Sequence, residues 1–187
     1  YEPYTIRQLP FIITEAARGN WQPFLDLYPK QVKFDQFIAE GLYLSVTCAE
    51  DVPFIGKREV KRLAKNTFMG DYRIAQQKRA CAYWIRGAVP PDFLEPVRSD
   101  IPVLILAGKW DPVTPPSMAK EIARYLPNSQ LIIIPQMSHG MWGLTNEGCL
   151  DEMILHFIAT VGKVNVRSEC IHLMTPPSYK MNVQGVK

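Results

Sequence analysis

The 187-residue sequence has no long hydrophobic run and no strong excess of charge of either sign. None of its apolar stretches approaches the roughly 20 residues that a membrane-spanning helix needs, so no membrane span is predicted. The net charge of +3 is small, and nucleic-acid binding usually requires a clustered basic face. The one basic cluster, residues 57–65, fits the solvated side of a helix. The composition therefore predicts no nucleic-acid partner.

An initiator methionine and a recognisable signal peptide are also lacking. The segment from Tyr1 to Tyr4 offers neither the basic start nor the apolar stretch of a secretory signal. We therefore expect the chain to begin inside a longer precursor.

Cysteine pairs of the kind that hold zinc are missing as well. The four cysteines are widely spaced, at positions 48, 81, 149 and 170. They form no Cys-x-x-Cys pair and no cluster with the three histidines, so no metal site is predicted, and nothing in the sequence indicates a cofactor. An even number of cysteines fits either buried thiols in a cytosolic protein or two disulfides in an exported one. The count leaves all three pairings open.

Helical periodicity is the first pattern that the sequence contains, and it extends over residues 1–97. Residues 71–84 are predicted as a helix with Asp71 as a plausible N-cap. Three further helices are predicted, over residues 8–18, 35–48 and 58–68. Residues 87–99 carry three prolines and predict a stiff linker, which places a domain boundary at residue 97.

Residues 98–170 alternate between strand and helix patterns. Strands are predicted over 103–107 and 130–134, and helices over 116–126 and 146–161, which is typical of a parallel α/β sheet. Both strands are continuously apolar, as strands are when they are covered on both faces. Two strands alone are marginal in water, so we expect further strands from outside this sequence. Residues 171–187 are predicted to form a loose tail.

Two residues at the ends of these strands could carry chemistry. Asp111 follows the first strand and His139 follows the second, so both belong to the carboxyl edge of the sheet, where α/β proteins place ligands. An Asp directed at a His forms the back half of a nucleophilic triad. The alternative for Asp111 is a turn residue before Pro112. The alternative for His139 is an ordinary loop imidazole beside a glycine.

The stretch "IPVLILAGKWDPVTPPSMAKEIARYLPNSQLIIIPQMSHG" resembles the C-terminal portion of the α/β-hydrolase fold. In detail it is similar to the secreted serine exopeptidases of the tripeptidyl- and prolyl-aminopeptidase-like branch. Their Gly-x-x-Asp-Pro-x-Thr-Pro loop is matched by Gly108, Asp111, Pro112, Thr114 and Pro115. Their Gly-His-Gly-like loop is read here as Ser138-His139-Gly140, with Ser in place of the first Gly.

The resemblance implies a role for several residues. Asp111 and His139 would be the triad acid and base, and the residues before the linker would form a helical cap. "LYLSVTCAEDVPF" and "CAYW" resemble that cap. The cysteines would pair as Cys48–Cys81 and Cys149–Cys170, and the protein would be secreted or periplasmic.

The family's nucleophile motif, Gly-x-Ser-x-Gly, does not occur in the sequence. We therefore expect an incomplete fold whose nucleophile half, the missing N-terminal part, is supplied by a preceding segment. The predicted function is that of a serine exopeptidase that releases residues from peptide N-termini, with this chain inactive alone. An esterase or amidase of the same fold and a non-catalytic binding module are the alternatives.

Two further pairs of residues could contact a substrate. Glu50 and Asp51 follow Cys48, and an acid facing the cleft would bind the α-ammonium group of a peptide; the alternative is a pair of solvated acids at a helix end. Trp110 and Trp142 adjoin the two loops and could form the wall of a pocket, although packing in the core or at its rim is the more frequent fate of such residues.

Overall fold

The structure, a computed structural model, describes residues 3–27 and 39–181 of the chain. The chain divides into two compact units. A helical unit comprises residues 26–95, and a sheet unit comprises residues 1–25 together with residues 96–187. The unit boundary between Glu95 and Pro96 lies close to the boundary predicted at residue 97. Residues 1–25, however, group with the sheet and not with the helices that follow them.

After residue 98 the strands and helices follow one another in the order that the sequence predicts. The helices are α1 (Pro3–Ile6), α2 (Leu9–Ala17), α3 (Glu40–Glu50), α4 (Lys57–Ala64), α5 (Tyr72–Tyr83), α6 (Pro116–Ala123) and α7 (Gly148–Ala159), and the strands are β1 (Val103–Gly108) and β2 (Ser129–Ile134). Residues 22–27 are also helical, and two 3₁₀ turns span Val52–Phe54 and Glu169–Leu173.

The helical unit is held together by a disulfide and by one buried amide. Cys48 of α3 is bonded to Cys81 of α5, and both are buried together with Val52. Beside them Gln77 accepts a hydrogen bond from the hydroxyl of Tyr43 at 3.1 Å and donates one to the hydroxyl oxygen of Thr47 at 2.6 Å. These contacts cross-link α3 and α5 along one side.

One helix boundary predicted in this unit is wrong, and two further predictions are borne out only in part or lie outside the described residues. The helix predicted over 58–68 ends at Ala64, because Asn66 and Gly70 have positive φ angles of 64° and 54°, which a helix does not tolerate. Asp71 stands at the N-cap position of α5, but its side chain makes no capping hydrogen bond. The helix predicted from Asp35 begins at Glu40 as far as the structure describes it, since residues 28–38 lie outside the described residues.

The sheet unit contains a parallel pair of strands. β1 and β2 are in register from Val103 opposite Ser129 to Gly108 opposite Ile134, and α6 forms the crossover between them. Most residues of both strands remain partly exposed, although the strands are almost wholly apolar. Because the strands are parallel, the loops that follow Gly108 and Ile134 leave from the same edge of the sheet.

The core of the sheet unit lies between β2, α7 and the segment after α7. Ile134, Met153 and Met174 are almost fully buried there. The second disulfide, Cys149–Cys170, joins the start of α7 to this last segment. The prediction of a loose tail beyond Cys170 is wrong for residues 171–175, because Ile171 and Met174 complete this core.

Candidate active site

The loop that carries Asp111 begins with a glycine that the fold requires. A Cβ atom at Gly108 would overlap the carbonyl oxygen of Ser138 and would lie 2.6 Å from that of Met137. The two loops are also hydrogen-bonded, since the Trp110 amide donates to the carbonyl oxygen of Met137 at 3.0 Å. A side chain at position 108 would therefore separate the two loops.

These loops bring Asp111 and His139 into contact. The Nδ1 atom of His139 lies 3.0 Å from Oδ2 of Asp111 and 3.2 Å from Oδ1. The Asp111 side chain is only 6% exposed, whereas that of His139 is 36% exposed. The predicted pair therefore has a buried acid behind an imidazole that reaches the surface.

Asp111 is held in place by the residues that follow it. The backbone amides of Val113 and Thr114 donate to Oδ1 at 2.8 and 2.9 Å, and the hydroxyl of Thr114 donates to Oδ2 at 2.8 Å. The predicted alternative for Asp111, a turn residue before Pro112, is thus part of the geometry as well. The same carboxylate closes the turn and contacts His139.

The hydrogen bonds keep this carboxylate ionised. Burial alone would raise the pKa of Asp111, but hydrogen bonds from Thr114, His139 and Val113 outweigh it and hold the pKa well below its usual range. An ionised carboxylate only accepts hydrogen bonds, so Nδ1 of His139 must carry the proton. In the neutral ring Nε2 is then the basic nitrogen.

The sequence alone predicts no separate role for Thr114, although this residue lies in the matched loop motif. In the structure it donates two hydrogen bonds to Asp111, and its hydroxyl oxygen lies 3.5 Å from Nδ1 of His139. The signal was present as the threonine of the Asp-Pro-x-Thr-Pro pattern. Thr114 lies three residues after Asp111. At that spacing an Asp side chain can close a turn by accepting a hydrogen bond from a backbone amide.

Glu50 and Asp51 belong to the other unit. Both are exposed at the carboxyl end of α3, and they border a cavity of about 470 Å³ together with Tyr43, Arg73 and Gln77. Within the described residues neither side chain makes a hydrogen bond or an ion pair. The structure therefore places them at a cleft of their own unit, where no described residue pairs with either acid.

The two tryptophans next to the loops have different surroundings. Both are 63% exposed. Trp110 borders a cavity of the sheet unit and lies under the Lys109 ammonium group, which is 5.3 Å from its ring centre. Trp142 instead covers Gly140, where a Cβ atom would lie 2.6 Å from its ring.

The family described as "TAP-like protein" matches residues 66–170, more than half of the chain. This is an α/β-hydrolase family that includes tripeptidyl aminopeptidase-like proteins. The chain belongs to this family. The resemblance stated above is thereby confirmed, and the α/β fold class with it. Comparisons with curated proteins and with solved structures give no match.

The matched region contains both loops of the candidate site. Asp111 and His139 lie within it, and it ends at Cys170. Glu50, Asp51 and Cys48 precede it, so the family match does not extend to the predicted ammonium site. No helix among the described residues is long and apolar enough to span a bilayer. Paired cysteines, as found here, are typical of proteins in oxidising compartments.

Proposed function

We propose that this chain supplies the acid and the base of a serine hydrolase, with Asp111 as the triad acid and His139 as the general base. The observation that carries the proposal is the 3.0 Å contact between His139 Nδ1 and the buried Asp111 carboxylate. Membership of an α/β-hydrolase family supports it. The proposed substrates are peptides with a free N-terminus, and small esters or amides are the alternative.

In the proposed reaction, Nε2 of His139 accepts the proton of a serine hydroxyl while the serine oxygen bonds to the substrate carbonyl carbon. Asp111 remains ionised and stabilises the resulting imidazolium. The proton then passes from Nε2 to the leaving amine nitrogen as the C–N bond breaks. Water, activated by the same nitrogen, hydrolyses the acyl-enzyme and restores the serine.

The serine is proposed to lie on a segment outside these 187 residues. The sequence contains no Gly-x-Ser-x-Gly, the motif that exposes the nucleophile in this fold. The described residues form a sheet of two strands whose apolar side chains stay partly exposed, which supports additional strands beside them. The chain would then be the C-terminal part of the fold, with α3 to α5 in its cap.

The exopeptidase assignment rests on the acids of the helical unit. Glu50 and Asp51 border a cleft and lack partners among the described residues, so either could bind a substrate ammonium group through a charge-assisted hydrogen bond. The two disulfides support a secreted or periplasmic location.

The test begins with the reading frame upstream of Tyr1. We expect it to encode a Gly-x-Ser-x-Gly motif, and we call the protein that includes it the longer enzyme. A fluorophosphonate probe should label the serine of that motif in the longer enzyme and no serine of the 187-residue chain alone. Peptides with free and with acetylated N-termini, and a simple ester, should then be compared as substrates.

Three outcomes would contradict this proposal or a part of it. Labelling of a serine in the isolated 187-residue chain would show that the chain has its own nucleophile. An upstream frame without the motif, together with a longer protein that the probe does not label, would favour a non-catalytic binding module. Equal turnover of free and blocked substrates would favour the esterase or amidase alternative.

A further inference from the structure

A second cavity of about 470 Å³ lies in the sheet unit beside the two loops of the candidate site. It is bordered by Trp110 and Pro112, the neighbours of Asp111 in the chain, and by Ser138, which precedes His139. Its volume lies in the range of pockets that hold small ligands, about 300–1,000 Å³. A group bound there would contact the loops that hold the acid and the base.

Apart from the two loops, the residues that border this cavity are mostly apolar and belong to segments 3–9 and 176–179. Pro3 and Ile6 of α1 form one wall, and Pro177 and Tyr179 form another. The segment 176–179 is fixed at both ends. The Thr175 amide donates to the Thr145 hydroxyl oxygen at 3.0 Å, and the Lys180 amide donates to the Arg7 carbonyl oxygen at 3.1 Å. The walls are therefore largely formed before any ligand arrives.

The charge of the lining restricts what the cavity accepts. Among the described residues that border it, Arg7 carries a charge, and Gln136, Ser138 and Tyr179 carry polar groups. No carboxylate is found among the described residues that border the cavity. An ammonium group entering it would leave water without an anionic partner among these described residues and would lie near a guanidinium, both of which are unfavourable.

We propose that this cavity takes a large uncharged apolar part of the substrate, an aromatic or aliphatic side chain or acyl group, and rejects the substrate's α-ammonium group. This inference rests on the proposed function, because it assigns one part of that substrate to a site beside the proposed acid and base. Burial of an apolar group against Trp110, Ile6 and the proline-rich segment 176–179 supplies the affinity. The ammonium group must then bind elsewhere.

The test uses the longer protein that includes the upstream segment, with any motif serine replaced by alanine so that the probes are not hydrolysed, and two probes, one neutral and one cationic. N-acetyl-phenylalaninamide is neutral, and phenylalaninamide at pH 6 carries an ammonium group on the same aromatic skeleton. Ligand-observed NMR titration measures both affinities without relying on tryptophan signals. We expect saturable binding of the neutral probe and at least tenfold weaker binding of the charged one.

A matched pair of variants locates the binding site. Trp110→Ala should weaken binding of the neutral probe at least tenfold, whereas Trp142→Ala should leave it unchanged, although both tryptophans are 63% exposed. Tyr179→Ala, in another segment that borders the cavity, provides an independent check if Trp110→Ala fails to fold by circular dichroism. Equal affinity for the two probes, or no loss in either wall variant, would overturn the proposal.

The result also separates this inference from the proposed catalytic role. Asp111→Asn removes the proposed acid but not the cavity, so the neutral probe should bind that variant as it binds the same protein with Asp111 intact. Probe binding together with a longer enzyme that fluorophosphonate does not label would retain the pocket and reject the hydrolase. Labelling without probe binding would retain the hydrolase and reject the pocket.

Discussion

The two units of this chain hold their acidic residues in opposite ways. In the sheet unit Asp111 is buried, accepts hydrogen bonds from its own loop and from His139, and has a pKa held below its usual range. In the helical unit Glu50 and Asp51 are exposed at the end of α3 and have no partner among the described residues. The sequence offered all three as candidate site residues.

The cores of the two units differ as well, and the core of the sheet unit is the larger. Seven buried residues form the main cluster of the sheet unit, whereas the cluster described in the helical unit consists of Cys48, Val52 and Cys81. A fixed, desolvated carboxylate suits a group that must orient an imidazole and stabilise its charge. An exposed, unpaired carboxylate suits recognition of a cation that arrives with the substrate. Under the proposed function, the sheet unit would carry the chemistry and the helical unit would bind the substrate's ammonium group.

The strongest test of this division is Asp111→Asn in the longer enzyme. Loss of the triad acid leaves the imidazole in the wrong tautomer, which in a well-studied serine protease lowers turnover by about 10⁴-fold. We expect a loss of similar size in kcat, with folding retained by circular dichroism. Steady-state kinetics on a peptide substrate measures it.

Asp100→Asn provides the control for that experiment. Asp100 is an exposed acid of the same unit, so its amide variant should keep kcat within about twofold, as surface substitutions usually do. Turnover of Asp111→Asn within tenfold of the unaltered enzyme would remove Asp111 from the proposed triad.

The disulfides test the difference between the cores. Loss of a native disulfide from a small domain typically costs about 2–5 kcal/mol. Cys48→Ser/Cys81→Ser should unfold the helical unit, because those two cysteines form most of its described core. Cys149→Ser/Cys170→Ser should destabilise the sheet unit but leave it folded, since Ile134, Met153 and Met174 remain buried.

Denaturant unfolding followed by hydrogen exchange of each unit distinguishes these outcomes. Mass spectrometry of a non-reducing digest should first confirm the two pairs in the purified protein. Equal losses of stability in the two units would contradict the difference drawn between their cores. Four free thiols would also remove the argument for export.

Thr114→Val tests how the acid is held. The variant keeps the shape of the side chain but removes the hydroxyl that donates to Oδ2. A hydrogen bond to a charged group is worth about 1.5–3 kcal/mol, so the unfolding free energy should fall by about that much at pH 7. The folded-state pKa of Asp111 should rise towards its ordinary value.

The pKa shift of Asp111 also predicts how the loss of stability in Thr114→Val depends on pH. A lowered carboxyl pKa contributes stability above the unfolded value of about 3.9, and the contribution is lost as pH falls below it. The difference between Thr114→Val and the unaltered chain should therefore be constant near neutrality and shrink in acid. Thr114→Ser keeps the hydroxyl and should behave much like the unaltered chain. A difference that persists unchanged at low pH would show that packing, not the hydrogen bond, is lost.

The sequence predicted the local parts of this fold well. β1 and β2 begin and end within one residue of their predicted limits, because an apolar run bounded by prolines, glycine or polar residues has few other conformations. The contact between Asp111 and His139 also followed from topology, since parallel strands bring successive loops to one edge. The glycine at 108 and the threonine at 114 were visible only as parts of a motif.

What the sequence did not predict depends on contacts between distant residues. The burial of Met174 follows from packing against α7 and β2, and Thr145 and Thr175 are bonded across 30 positions. A polar segment with two prolines gives no local sign of such contacts, so it was predicted as a loose tail. The grouping of residues 1–25 with the sheet unit was missed for the same reason.

The smallest expected effect is that of Glu50→Gln in the longer enzyme. If Glu50 binds the substrate ammonium group, its loss removes a charge-assisted hydrogen bond worth about 1.5–3 kcal/mol. We expect kcat/KM to fall about ten- to a hundredfold on peptides with a free N-terminus. N-acetylated peptides and simple esters bring no cation, so they should be nearly unaffected.

Two variants show whether the effect belongs to this position. Glu40→Gln changes an exposed acid at the first residue of the same helix and should alter neither substrate class. Asp51→Asn should produce the selective loss if Asp51, and not Glu50, meets the ammonium group. An equal loss on free and blocked substrates would mean that the acid supports the structure of the helical unit, because only recognition of a cation depends on the substrate's charge. No loss in either the Glu50 or the Asp51 variant would leave the helical unit without a role in recognition and would contradict the exopeptidase assignment.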